Sequence, residues 1–416
     1  MKKLYISSIA ILLTTSSIAD HHIPGTFNDF ELKVGGEMYF QAGSRFNSSK
    51  QLYFTTQNNR DIGFDSSTAI HLSLKSTLPN NWKYGMQLGI RGNNISSSKA
   101  GKDSLDRTYL WLEHDNVGKF ELGSNASAST SMGVNGISVA VASGGADGSW
   151  GKYISLDTAA TGATGVSEGN FLTFPGLLFN ETNFDSTNTH ERSRKITYYT
   201  PKLNGLQLGI SYTPDVTNNG GSSSFPNINT TANRQEKNGI SLGLTWEKSI
   251  DNNQDVSLAF IGESGQIARS TLDKTNNRDF YKSQAFEVGG NYRYDKIHLG
   301  ASYGYHGKAN LEKIAGLSDT SFYTLGVQYE ITPSTRTSIS FLHTEKLKNK
   351  LDVAGIGIET DVAKGVLAYV DLAHFKAKQT QDYSSVAFNA AGNASIAPSI
   401  YQSKGTALIF GSQLSF

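Results

Sequence analysis

The stretch "ELKVGGEMYFQA" (residues 31–42) separates when it is read by twos. Leu32, Val34, Met38 and Phe40 fall on one face, and Lys33, Glu37 and Gln41 fall on the other. The pattern returns along the whole chain. "AIHLSLK" sets Ile70, Leu72 and Leu74 against His71, Ser73 and Lys75, and "YGMQLGIR" sets Tyr84, Met86, Leu88 and Ile90 against Gly85, Gln87, Gly89 and Arg91. "ISLGLTW", "FEVGGNYRY", "IHLGASYGY", "YTLGVQYEI" and "VLAYVDL" repeat it. Period-2 alternation marks strands with one apolar face, and no segment sustains a 3.6-residue period over three turns. Little helix is therefore expected.

Together with weaker segments, the alternation predicts about sixteen strands. They lie near 30–42, 67–77, 82–92, 106–114, 117–124, 193–200, 205–213 and 237–248. The second half continues at 254–263, 282–294, 296–306, 320–331, 335–345, 350–360, 365–377 and 404–416. Their connections alternate in length. "LPNN", "DNVG", "PKLNG", "DNNQ", "YDK", "ITPS" and "DVAKG" are turn-sized and rich in turn formers. Between them run long segments rich in Ser, Asn, Gly and Thr, except at "LKNK", which is short where a long loop is due.

A soluble sandwich has no reason to segregate connections by parity. A transmembrane antiparallel β-barrel does, with short turns at the periplasmic end and long loops outside. The mean hydropathy of −0.35 does not oppose this, because strands that hide apolar residues at every second position average out as polar. No segment after the N-terminal one resembles a transmembrane helix, which excludes a helical membrane protein. In hydrocarbon a sheet must close on itself, so the last strand must pair with the first. That explains "TALIFGSQLSF", in which Leu408, Phe410, Leu414 and Phe416 share a face. Phe410 and Phe416 are expected at the membrane interfaces, as parts of an aromatic girdle.

The other end reads as a secretory signal. "MKKLYISSIAILLTTSSIAD" has two lysines, a short apolar core and a small-x-small site, which places a signal peptide at 1–19 and the barrel domain at 20–416. The chain carries 37 Lys+Arg against 36 Asp+Glu, so no basic excess suggests nucleic acid. With no cysteine there are neither disulfides nor thiolate metal sites.

Three segments in order resemble the Gram-negative general porins, trimeric sixteen-stranded diffusion channels of the outer membrane. The first in the chain is "RTYLWLEHDNVGKFELGS", similar to the family's strand-turn-strand before its constriction loop. Next comes "RSRKITYYTPKLNGLQLGISYTP", similar to the hairpin after that loop, and last the alternating strand that closes on Phe416. The resemblance spans essentially the whole mature chain. It implies a homotrimer, to which small outward residues such as Gly36 and Ser124 also point. It further implies that Phe416 is part of a signal read by the barrel-insertion machinery.

Competing chemistry is weak. "GASYG" (300–304) matches a nucleophile elbow around Ser302, but that motif needs a strand-to-helix turn, and here it lies inside an alternating strand beside His298 and His306. His21 and His22 open a polar N-terminal segment expected to be mobile until the first strand, rather than a metal site. "DNNQD" (251–255) lacks the Gly and distal Glu of a calcium loop. No enzyme activity, cofactor or metal is expected. The chain reads as a passive channel for ions and small hydrophilic solutes. The alternatives are a channel selective for an anion, sugar or other nutrient, or an adhesive or structural barrel.

Segment 125–192 is the expected constriction loop. It is far longer than ordinary loops and holds apolar clusters, "ISVAVA" and "FLTFPGLLF", that water would not favour. Between Asn125 and Glu191 the acids Asp147, Asp157, Glu168, Glu181, Asp185 and Glu191 stand against one base, Lys152. The wall bases opposite are His71, Lys75, Arg91, Arg107 and Arg192. By resemblance His71 and Lys75 match the family's inward basic row, and Arg107 and Arg192 fit its arginines within about one residue of register. Gly35 stands where enteric porins place a further base. Opposed charges in a narrow eyelet make a transverse field, here with a mild cation preference.

Overall fold

The computed structural model describes residues 21–23, 30–47, 62–93, 105–153, 171–172, 176–178, 193–215, 235–251, 253–313, 317–388 and 394–416. A short strand β1 (His21–Ile23) precedes sixteen longer ones. The first eight are β2 (Glu31–Asn47), β3 (Ile62–Thr77), β4 (Lys83–Asn93), β5 (Leu105–His114), β6 (Gly118–Ser124), β7 (Arg194–Tyr199), β8 (Leu206–Asp215) and β9 (Gln235–Asp251). The others are β10 (Gln254–Ala268), β11 (Ser283–Tyr294), β12 (Ile297–Gly307), β13 (Thr320–Thr332), β14 (Thr335–Lys346), β15 (Asn349–Ala363), β16 (Val366–Phe388) and β17 (Ala394–Ser415). Each pairs antiparallel with its sequence neighbours, and β17 pairs with β2, so β2–β17 form a closed sixteen-stranded barrel. The signal segment 1–19 lies outside the described residues.

The alternation sorts side chains as the sequence predicts. Leu258, Phe260, Leu299, Leu325, Val327, Ile356 and Phe410 are among the many large apolar residues exposed on the outer face. Outward rings occur toward both ends of the strands, with Tyr294, Tyr329 and Phe416 near the short turns and Phe46, Phe64 and Tyr323 nearer the loops. Such a surface is stable against hydrocarbon and costly in water.

Turn chemistry shapes the short connections. Asn81, Gly118, Asn204, Gly205, Asp295 and Gly365 all take positive φ, which Gly, Asn and Asp adopt at least cost. At the β5–β6 turn the Lys83 ammonium, 2.8 Å away, holds the exposed Asp115 carboxyl below its usual range. The unexpectedly short "LKNK" is a tight hairpin at the loop end, with Leu347 and Lys348 both at positive φ. Complete burial of the Leu347 side chain offsets the strain.

Two features differ from the sequence reading. Several strands run further toward the loop end than their apolar alternation, most of all β16 and β17, which continue to Phe388 and start at Ala394. Beyond the hydrocarbon a ladder needs only hydrogen bonds, so the apolar signal stops before the strand does. His21–Ile23 also forms a short strand ahead of the first expected one. It pairs with Leu32–Val34, beyond the point where β17 ends against Glu37, and so covers an edge left open.

The seam between β17 and β2 ends at Gly36 and Phe416, which exchange two backbone hydrogen bonds of 3.0 Å. The Phe416 ring lies directly over Gly36, where a Cβ would stand 2.7 Å from Cζ and 2.8 Å from the Ala69 carbonyl. This small outward residue is therefore the seat of the terminal ring. Gly36→Val is expected to destabilise the barrel by about 1–3 kcal/mol, as overpacking does. Denaturant unfolding in detergent, followed by circular dichroism, measures it. Combining it with Phe416→Ala should cost less than the sum of the two.

Candidate pore lining

After β6 the chain turns into the barrel and runs along the inner wall. Asn125 donates to Glu121 at 2.6 Å, and Ser127 caps helix α1 (Ala128–Met132) by accepting from the Thr130 N–H. Asn135 caps a 3-10 turn over Gly136–Val139. A second such turn, Gly145–Asp147, follows a reversal at Gly144 and Gly145, both at positive φ. Helix α2 (Trp150–Tyr153) ends the described run. None of these turns could persist alone in water, so the wall must hold them.

It does so with two kinds of inward residue. The first is a hydrogen-bond acceptor. The N–H of Ala128 donates to Ser211 Oγ at 2.7 Å, that of Gly136 to Thr324 Oγ1 at 2.7 Å and that of Val141 to Ser338 Oγ at 2.9 Å. Ala142 N–H donates to Glu359 at 2.8 Å, Gly145 N–H to Asp371 at 3.2 Å and Ala146 N–H to Ser340 Oγ at 2.8 Å. The second is glycine, which lets backbone lie on backbone. A Cβ on Gly289 would meet the Val134 carbonyl at 1.8 Å, and one on Gly326 the Gly136 carbonyl at 1.8 Å. Gly209, Gly243 and Gly355 make similar room.

Apolar packing completes the seat. Trp150 donates Nε1–H to the Ala146 carbonyl at 2.9 Å and stacks on Phe375 at 5.7 Å. Around it lie Ile137, Val141, Phe171, Leu342, Leu351, Val353 and Ile409, all buried. The inner face of β14–β17 is thus a packed core at this level, not a wet wall. A second cluster joins Met132, Leu177, Tyr199 and Ile261 near α1. The helical turns of the segment pack on β7–β17 and β2.

At its far end, Lys152 forms an ion pair with Asp65 of β3 at 2.7 Å and touches the Tyr39 hydroxyl at 2.6 Å. Tyr39 in turn donates to Asp65 at 2.9 Å. The one base of the segment is therefore matched by a wall acid and drops out of its charge sum.

The wall bases stand on β3–β5. The His71 ring and the Arg107 backbone both lie beside Gly89. Arg91 pairs in register with Ala69 and Lys75 with Gly85. At roughly 3.4 Å per residue, Arg91's level is about 7 Å from His71 along β3, and Lys75 about 14 Å on the other side. They form a ladder up the wall rather than a ring. Asp147 lies in the second 3-10 turn, with Oδ1 enclosed and without a hydrogen-bond partner among the described residues. Asp157, Glu168, Glu181, Asp185 and Arg192 lie outside the described residues. Phe410 faces outward, as does Phe416.

Ser302 is buried on the inner face of β12 and shares a 2.7 Å hydrogen bond with Thr324 Oγ1, the acceptor for Gly136. It belongs to the loop seat and has no strand-to-helix turn around it. Signals for the seat were present in the sequence as inward Gly, Ser and Thr, but nothing there separates them from ordinary lumen residues.

Gly326→Val is expected to lift the Gly136–Val139 turn from the wall while leaving the strands paired. Protease should then cut the segment near residue 136 much faster at unchanged β content, and stability should fall by about 1–3 kcal/mol. Unchanged cleavage would mean that the turn is not held there.

The Gram-negative porin family model matches residues 7–380. Among curated proteins, an uncharacterized protein of Rickettsia bellii is 28% identical over 458 residues, covering 100% of both chains. One of Rickettsia conorii is 27% identical, over 91% of this chain and 94% of its own. Among solved structures, an anion-selective porin from Comamonas acidovorans superposes with a TM-score of 0.56 at 15% identity, over 93% of this chain and 100% of its own. A mutant of the Rh. blastica porin gives 0.52 at 12%, over 92% and 100%. A closed sixteen-stranded barrel with an apolar outer face and a segment seated on its inner wall accords with these matches, and the chain belongs to the Gram-negative porin family.

Proposed function

We propose that the protein is an outer-membrane channel through which ions and small hydrophilic solutes diffuse passively, and that segment 125–192 is its constriction loop. The observation that carries this is the course of residues 125–153 along the inner wall, held by wall acceptors and glycines. A ring of sixteen strands encloses more space than its side chains fill, and a chain laid against one arc narrows that space. The bases Arg91 and Arg107 stand on β4 and β5, outside the arc on which the helical turns pack.

Selectivity in this reading comes from the ladder of His71, Lys75, Arg91 and Arg107, with Arg192, set against the acids of the loop. Asp147 contributes least, because an enclosed carboxylate oxygen without a partner disfavours charge. Asp157, Glu168, Glu181 and Asp185 then supply the negative side, and the balance gives a mild cation preference. The mature protein begins near Asp20 after signal cleavage, is placed by the barrel-insertion machinery through its last strand, and assembles as a homotrimer.

Reversal potentials in planar bilayers test the proposal. Glu181→Gln with Asp185→Asn should move the potential toward anions, and Arg91→Gln with Arg107→Gln should move it toward cations. A channel without conductance, or one that neither pair shifts, would overturn it. Light scattering in mild detergent should give the mass of three protomers, and a monomeric mass would remove the trimer.

A further inference from the structure

Leu110 and Leu112 of β5 are exposed on the outer face, so Tyr109, Trp111 and Glu113 between and beside them point to the lumen. Trp111 stands in one register row with Lys75 of β3, Gly85 of β4 and Glu121 of β6. A Cβ on Gly85 would lie 2.7 Å from Cζ2 and 2.8 Å from Cε2 of the indole. The ring is therefore seated over a bare Cα.

A large ring on the water-filled side of a wall leaves apolar area exposed. Trp150 avoids this by complete burial against Phe375. Trp111 does not: it is only half-buried, and no other aromatic ring covers it among the described residues. The Lys119 ammonium comes within 5.8 Å of its centroid but is held by Glu121 at 2.6 Å. The helical turns of the inner segment pack on other strands, β7–β17 and β2.

Polar groups around the ring keep unused hydrogen-bonding capacity. The indole N–H, the Lys75 ammonium and the Glu113 carboxylate have no hydrogen-bond partner among the described residues. Gln87, in the next inward row of β4, accepts from the Tyr109 hydroxyl at 2.8 Å and keeps its amide N–H groups. The charges balance. Lys119 and Glu121 neutralise each other, and Lys75 and Glu113 stand on different sides of the ring. An ion of either sign meets one repulsive flank for each attractive one. A neutral molecule with C–H groups on one face and hydroxyls round its edge matches both the floor and the rim.

We infer that Trp111 is the floor of a saccharide subsite in the pore wall, where a pyranose ring lies on the indole and its hydroxyls bond Gln87, Glu113 and Lys75. Tyr109, about 7 Å along the same strand, offers a second ring to the next sugar of an oligosaccharide. The inference rests on the channel reading and names a solute class for it.

Planar bilayers carrying the channel in salt, with maltotriose or sorbitol added, provide the test. Maltotriose should lower the conductance saturably, and sorbitol, an open-chain polyol without a ring face, should not. Trp111→Ala should raise the half-blocking concentration about tenfold, the scale of a lost aromatic contact. Trp111→Phe should keep most of the block, and Trp82→Ala, at the short-turn rim beside His114, should keep all of it. Tryptophan fluorescence of the detergent-solubilised protein should change saturably with maltotriose, and Trp111→Phe should abolish that change. Equal block by sorbitol, unchanged block in Trp111→Ala, or no saturable response to maltotriose in either measurement would overturn the assignment. A protein that conducts ions without responding to maltotriose fails this inference alone, whereas one that binds it without conducting fails the channel reading alone.

Discussion

A backbone amide in hydrocarbon has no water to turn to, and every unpaired one costs several kcal/mol. This sets the architecture. Sixteen strands can satisfy their N–H and C=O groups only as a closed ring, which makes the contact between β17 and β2 as structural as any hairpin. Its last pair, Gly36 with Phe416, combines two hydrogen bonds with a ring over a bare Cα. Where β17 stops, His21–Ile23 continues the cover along β2. The edge is covered at one end of the barrel by segments from opposite ends of the sequence.

The same accounting continues inside. A segment laid across the inner wall brings its own amides, and the short turns it forms leave many without internal partners. The wall answers with hydroxyls and carboxylates at Ser211, Thr324, Ser338, Ser340, Glu359 and Asp371. Glycines at Gly289 and Gly326 let carbonyls approach where any side chain would block them. The 42 glycines of the chain are thus partly a record of this seat. The apolar cluster about Trp150 adds burial that neither the loop nor the wall supplies alone.

The strands were legible because a lipid face forces alternation that nothing else in the chain imitates, and the turns because Asn204–Gly205 and Gly365 suit left-handed backbone. Strand ends beyond the hydrocarbon were not, since at Gln379–Phe388 the apolar period has no reason to persist. Inward Leu342, Leu351, Val353 and Phe375 spoil the polar-inside expectation, and their cause, Trp150 and Phe171, lies some two hundred residues away in sequence. The pairing of Lys152 with Asp65 is invisible to a charge sum, which treats the base as free. His71 and Lys75 could be placed on the inner face from period 2 alone, but their separation along the wall is a matter of geometry.

The seat spans both ends of the chain. Ser143 donates to Asp371, 228 positions later, while Lys152 reaches Tyr39, 113 positions earlier. Contacts of such separation are slow to form and carry loop-closure entropy until the end. Half of the seat does not exist until β14–β16 are in place, so residues 136–146 must wait for nearly the whole wall. The segment is tethered at the loop ends of β6 and β7, so the open mouth of the ring admits it whether or not β17 has already met β2. The wall is thus the template and the segment the cast: turns too short to hold a shape alone take one only as distant strands come to present their acceptors.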